Sequence, residues 1–230
     1  MKKKKEWGVV AGKVYKIAAP KRIDMALLKS FDWPKDAPSL RLELTTPALL
    51  GKLAPVKVPS SYWVRLACYS AGKGLEYSAK AVPAAGIEAR PPKNFAELKR
   101  ISLMAHKKFR QTWGKRMSKS FWADSRTYEQ EHLPNTKSLI MFRKGKPAAL
   151  YSLLEYQPLK GKKFSLVAWH NPLGKLSAAE RRSVWHQASL WLSRTAKRQL
   201  GVGLDGFDTE SIEFFSGLGF RVPRLRFERL

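Results

Sequence analysis

The stretch that most constrains the fold lies at the end of the chain, where residues 209–230 read "TESIEFFSGLGFRVPRLRFERL". Thr209 to Leu218 predicts a short apolar helix. Gly219 is its stop, because glycine takes the left-handed conformation there without a Cβ penalty. "FRVPRLRFERL" predicts a final strand. A short helix feeding a last strand belongs to a domain of mixed helix and sheet, so the upstream order of elements decides which one.

That order is legible from residue 86. "IEARPP" predicts a short strand. Asn94 is a good N-cap for "FAELKRISLMAHKKFRQTW", in which Phe95, Leu98, Ile101, Ala105, Phe109 and Trp113 form a helical apolar stripe. "SLIMFRKGKPAALYSLLEY" predicts two strands meeting at "RKGK". "FSLVAWH" is apolar almost throughout, as a central strand is, and "NPLGKL" is a loop. Ser177 and Glu180 in "SAAE" make a capping box that starts a long helix through about Leu200, with Val184, Ala188, Trp191, Leu192 and Thr195 facing inward. "GVGLDGF" predicts a further strand.

Residues 1–85 have a different texture. "WGVVAGKVYKIA", "LRLELTT", "SYWVRLACYS" and "LEYSAKAVP" are short, β-branched or aromatic, and separated by Pro and Gly signals. "YWVRLACYS" and "LEYSAKAV" predict a hairpin across "AGKG", and "DMALLKSF" one short helix. No recognisable chemistry is carried here. The expected organisation is a small β-rich basic N-terminal domain or extension (1–85) followed by a second domain (86–230).

Charge narrows the partners. Lys and Arg total 44 against 18 Asp and Glu, a net +26. The excess runs through both parts: 16 basic and 6 acidic groups up to residue 85, 28 and 12 beyond it. Such a field attracts nucleic acid, anionic membrane surfaces and phosphorylated molecules, and repels polyamines. Its densest part is the polar face of the 94–117 helix, with Lys99, Arg100, Lys107, Lys108, Arg110, Lys115 and Arg116 as candidate nucleic-acid contacts. Cys68 is the only cysteine, so no internal disulfide is possible, and it predicts a buried apolar residue. "MKKKK" is followed by Glu6, Lys13 and Lys16 before an apolar signal core can form. No window approaches a membrane span, and the expected compartment is the cytoplasm. His106, His132 and His186 have no metal-ligand spacing, and no metal is expected.

From residue 86 the order is strand, helix, three strands, long helix, strand, short helix, strand. It resembles a GNAT N-acyltransferase, and three stretches carry the resemblance: "GIEARPPKNFAELKRI", "KGKPAALYSLLEY" and "DTESIEFFSGLGF". The resemblance implies an α+β fold with a mixed sheet and acetyl-CoA, or another acyl-CoA, lying in a splay between two parallel strands. Its pyrophosphate would meet the loop before the long helix. The residues it assigns to the cofactor are Trp169, Asn171, Gly174, Lys175, Leu176, Ser177, Arg181, Arg182 and Phe215. Only Gly174 of the family's glycine signature is present, and Glu180 would set a carboxylate beside the pyrophosphate. The family closes its sheet with two strands, yet only ten residues follow Phe220. The missing strand must come from the N-terminal region or from another chain.

Glu155 and His170, at strand ends, are candidate bases for an amine acceptor. Asp208 stands where the family commonly has Asn, close to the cofactor arm. Phe215 stands where it commonly has the tyrosine that protonates the departing thiolate, leaving water, Tyr151, Tyr156 or Ser211 for that task. The functions implied are acetyl-CoA-dependent transfer to a primary amine of an anionic or nucleic-acid-associated acceptor, transfer from aminoacyl-tRNA, or a non-catalytic module binding RNA or another polyanion.

Overall fold

In a computed structural model the described residues are 14–31, 39–53, 61–70, 86–117, 132–156 and 164–230. They build one nine-stranded mixed sheet. The strands are β1 (Val14–Ile17), β2 (Ser39–Leu49), β3 (Tyr62–Tyr69), β4 (Ile87–Arg90), β5 (Lys137–Arg143), β6 (Lys146–Tyr156), β7 (Phe164–Pro172), β8 (Leu200–Asp205) and β9 (Arg221–Arg229). The helices are α1 (Met25–Lys29), α2 (Phe95–Trp113), α3 (Ala178–Thr195) and α4 (Thr209–Gly217). The class is α+β, as the sequence implies.

Local chemistry sets most boundaries. The Asn94 side chain accepts the Glu97 N–H, capping α2, and Asp24 does the same for α1 through Leu27. The capping box at α3 is complete in both directions. α3 ends at Thr195 rather than near Leu200, because Leu200 already pairs in β8. Lys144 and Gly145 both have positive φ between β5 and β6, as a tight hairpin turn requires. Gly219 ends α4 at φ +73°, and β7 extends through Asn171 and Pro172, residues with loop character in the sequence.

The strand order is β1-β2-β9-β3-β8-β7-β6-β5-β4. β3, from the N-terminal region, pairs antiparallel with both β8 and β9. The sheet therefore runs across the boundary at residue 85. β9 takes one edge of β3 over Tyr62–Tyr69 and β8 the other over Arg65–Tyr69, and the second arm of the hairpin expected for residues 75–82 lies outside the described residues. Cys68 is buried here, and burial drives its thiol pKa far up, which leaves no reactive thiolate.

Two cores flank the sheet. On one face α3 and α4 pack Val184, Trp185, Ala188 and Leu192 with Phe214, Phe215 and Phe220. Trp185 stacks on Phe214 at 5.6 Å, and Phe215 meets Phe220 edge-on at 5.0 Å. On the other, α2 packs Leu98, Ile101, Ala105 and Phe109 over Trp63, Ile140, Leu150 and Trp169. Two stripe assignments change. Phe95 begins α2 on its outward side and is 49% exposed, while Trp185 is buried where Trp191 is only half-buried.

Candidate functional site

The site forms where β7 and β8 part. Their parallel ladder runs from Ser165–Leu200 to Val167–Val202 and stops. The cause is local: Leu153 of β6 pairs with Val167, but Ser152 pairs with Trp169, so Ala168 is an extra residue on β7. Such a β-bulge bends its strand and raises the local twist. β7 continues to Pro172, while β8 turns with β3, where Ala67 faces Gly203 and Arg65 faces Asp205. A splay opens between two parallel strands, with β7 backbone released from the β8 ladder.

His170 sits in this splay. Its Nδ1 is 3.0 Å from Ser211 Oγ, and Ser211 Oγ donates to Asp208 Oδ2 at 2.6 Å. With that hydroxyl proton committed to Asp208, Ser211 accepts from His170 Nδ1–H. The neutral imidazole then carries its lone pair on Nε2. Asp208 is the N-cap of α4 and also accepts the Ser211 N–H at 3.2 Å. One buried carboxylate thus fixes both the helix start and the hydroxyl that orients the ring. Phe215 lies edge-on to the imidazole at 5.3 Å. The His170 pKa lies below the ordinary histidine value: burial comes first, Asp208 opposes it, and Arg65 adds to it.

Arg65 and Trp63 come from β3, a region whose sequence shows no chemistry. Trp63 Nε1 donates to Asp205 Oδ1 at 2.8 Å. Burial pushes the Asp205 carboxyl up to about 6, against Arg65 and this hydrogen bond. The Arg65 guanidinium passes so close over Gly203 that a Cβ there would lie 2.8 Å from its Nε. A glycine on the opposing strand is what admits it.

A cavity of about 480 Å³ adjoins the splay. Lys108, Phe109, Thr112 and Trp113 of α2 line one wall, Asn171, Pro172, Gly174, Lys175 and Leu176 another, and Asp208, Thr209 and Glu210 a third. Four residues assigned to the cofactor therefore line one cavity with Asp208. Ser177 caps α3, and Arg181 pairs with Glu210 at 3.7 Å. Arg182 is exposed on the first turn of α3. Glu180 Oε2 accepts the Ser177 N–H at 2.8 Å, as the capping box implies, and Arg143 Nη1 stands 3.3 Å from the same oxygen while donating to the Lys175 carbonyl. Bonding from the Ser177 backbone, then Arg143, holds the Glu180 carboxyl below its usual range.

Other assignments fall elsewhere. Glu155 pairs across the sheet with Ser165, whereas Tyr151 pairs with His170, and four residues along β6 span about 13 Å. Glu155 accepts from Ser165 Oγ at 2.8 Å and faces Arg198. Trp169 turns to the α2 core, packing edge-on with Phe109. Phe215 is completely buried, so it backs His170 and offers no surface to a ligand. Tyr151 is buried against Phe214. The seven candidate nucleic-acid contacts on and just after α2 are all exposed, and Lys108 also reaches the cavity. Among the described residues no group of three or more His, Cys, Asp or Glu is placed to hold a metal, and no helix is long and apolar enough to cross a membrane.

From β4 onward the elements follow the order read from the sequence, and β3 lies between β8 and β9. No protein-family model matches the sequence, and no curated protein does. Among solved structures, a conserved protein of unknown function from Staphylococcus epidermidis is 12% identical, with 90% of this chain and 76% of that chain covered and a TM-score of 0.49. A GCN5-related N-acetyltransferase from Kribbella flavida is 11% identical (83% and 67% covered, TM-score 0.44). A putative acetyltransferase of the GNAT family from Novosphingobium aromaticivorans is 13% identical (88% and 77% covered, TM-score 0.42).

Proposed function

We propose that the protein is an N-acyltransferase that moves an acyl group from acyl-CoA to a primary amine, with His170 as the base. The observation that carries this is the chain His170–Ser211–Asp208 at the point where β7 and β8 diverge. A neutral imidazole with its lone pair on Nε2 suits removal of one proton from a neutral amine, whose ammonium proton has already gone to solvent, as it attacks the thioester.

The residues present fit a phosphate-bearing thioester. Gly174 has no atom within 4 Å of where a Cβ would stand, and Lys175 is exposed beside it. The Ala178 and Ala179 N–H groups, at the first two positions of α3, lack intrahelical acceptors and lie outside the capping box. Arg143 offsets the Glu180 carboxylate. The thioester supplies an activated carbonyl carbon when bound. His170 removes one proton from the amine as the C–N bond forms. It then returns a proton to the departing sulfur as the C–S bond breaks. Ser211 keeps Nδ1–H in place and Asp208 balances the transient imidazolium. One group serving as base and then acid closes the proton balance without a tyrosine at 215.

A second reading keeps the site and changes the donor. Glu180 already occupies the Ser177 N–H, which favours an acyl donor without a pyrophosphate there, such as aminoacyl-tRNA. A thermal-shift titration with acetyl-CoA beside tRNA, at low and high salt, separates the two. Stabilisation by acetyl-CoA that persists at high salt is expected. Stabilisation by tRNA alone, lost steeply with salt, would replace acyl-CoA by the second donor.

A further inference from the structure

α2 presents a surface that its role in the core does not explain. Its inner side is fully used by Leu98, Ile101, Ala105 and Phe109. On the outer side, at about 100° per residue, Arg100, Leu103, Lys107 and Arg110 fall within about 80° of one another. Leu103 is 50% exposed and Met104 42%, and Arg100 reaches along the helix to the Met104 sulfur at 3.7 Å. Lys99 and Lys108 extend the cationic field on either flank, both exposed. Two large aliphatic side chains therefore stand in water in the middle of the most basic face of a +26 protein.

We infer that this face docks the protein on a bilayer surface rich in anionic phospholipid. The cations supply charge complementarity to the headgroups, and their aliphatic stems let the charged ends stay in that layer. Leu103 and Met104 then enter the boundary between headgroups and acyl chains, where an exposed Leu and Met are favourable. A nucleic-acid backbone accounts for the cations but gives two aliphatic side chains nothing to stack on or bond to. The last turns of α2 line the cavity through Lys108, Phe109, Thr112 and Trp113. The docking itself does not require the acyl-transfer reading to hold.

The test is co-sedimentation of the full chain with vesicles of phosphatidylcholine alone or with added phosphatidylglycerol, beside filter binding to single-stranded RNA. Two variants separate the contributions: Leu103→Ser with Met104→Ser, and Arg100→Ser with Lys107→Ser. All four positions are exposed, so both variants should keep the wild-type circular dichroism and melting midpoint. The expected result is binding to the anionic vesicles only, reduced about tenfold by either variant, with RNA binding unaffected by the Leu103/Met104 variant. Vesicle binding that is absent, or unchanged in the Leu103/Met104 variant, would overturn the proposal. RNA binding without vesicle binding would assign the face to nucleic acid instead.

Discussion

Two helix N-termini border the same cavity, and they use similar chemistry to opposite ends. At α3, Ser177 and Glu180 cap one another at the surface, and Arg143 closes the arrangement from outside. At α4, the cap is Asp208, which is buried, and its second oxygen continues through Ser211 to His170. Both caps satisfy backbone N–H groups that a helix leaves unpaired. The exposed one is exchangeable with water, so its removal costs little. The buried one has no water to replace it, so its carboxylate is tied to the helix start, the hydroxyl and the ring at once. The lesson is that burial converts an ordinary capping residue into one that positions a reactive group.

The largest effect is expected from Asp208→Ala. It removes a buried cap and leaves Ser211 and His170 without their carboxylate, so urea unfolding should show a loss of about 2–4 kcal/mol. Asp208→Asn keeps a capping oxygen and should recover most of that stability. It removes the charge that favours imidazolium, so the pH at which acyl transfer begins should fall. Arg65→Gln should move the same onset upward, because Arg65 disfavours the charged ring. Opposite shifts in the two pH–rate profiles are expected, and equal shifts would contradict the assignment.

Asp205 sharpens the contrast between buried and exposed acids. Its folded pKa of about 6 lies above the ordinary aspartate value, so the folded state holds that proton more tightly than the unfolded state. Its contribution to stability is fully present below the ordinary aspartate range and is lost as pH rises through about 6. Asp205→Asn keeps an acceptor for Trp63 Nε1. Denaturation measured on either side of this interval should show a flatter pH dependence, with a relative gain at neutral pH on the order of 1–2 kcal/mol. Glu180→Gln, at the exposed cap, should leave the melting midpoint nearly unchanged. It should tighten acetyl-CoA binding modestly, because it takes a carboxylate away from the loop.

What the sequence makes legible follows from the range of each signal. Asn94, Ser177 with Glu180, Gly145 and Gly219 act within a few residues, and each marks the boundary it predicts. His170, Ser211 and Asp208 are individually visible as candidates, but only the fold shows that they touch. The placement of β3 between β8 and β9 is set by pairing across more than a hundred residues, which no local pattern encodes. Arg65 is therefore invisible as a site residue, although an arginine in an otherwise apolar strand, with a glycine-containing strand elsewhere, is the signal that remains. The bulge at Ala168 is a difference of one residue between two ladders, and it also sends Trp169 to the α2 core. Phe95 belongs to the helical stripe by spacing, but it sits on the first turn, at the edge of the face that α2 buries.

His170 is tested as the base by the pH dependence of thiol release from acetyl-CoA in the presence of a panel of primary amines, for the wild type and His170→Gln. The wild type should release thiol with a rate that rises through a midpoint below the ordinary histidine value. His170→Gln should bind acetyl-CoA with unchanged affinity, lack that pH limb and run about 10²–10⁴-fold slower. Thiol release by His170→Gln at the wild-type rate and with the wild-type pH profile would exclude His170 as the base.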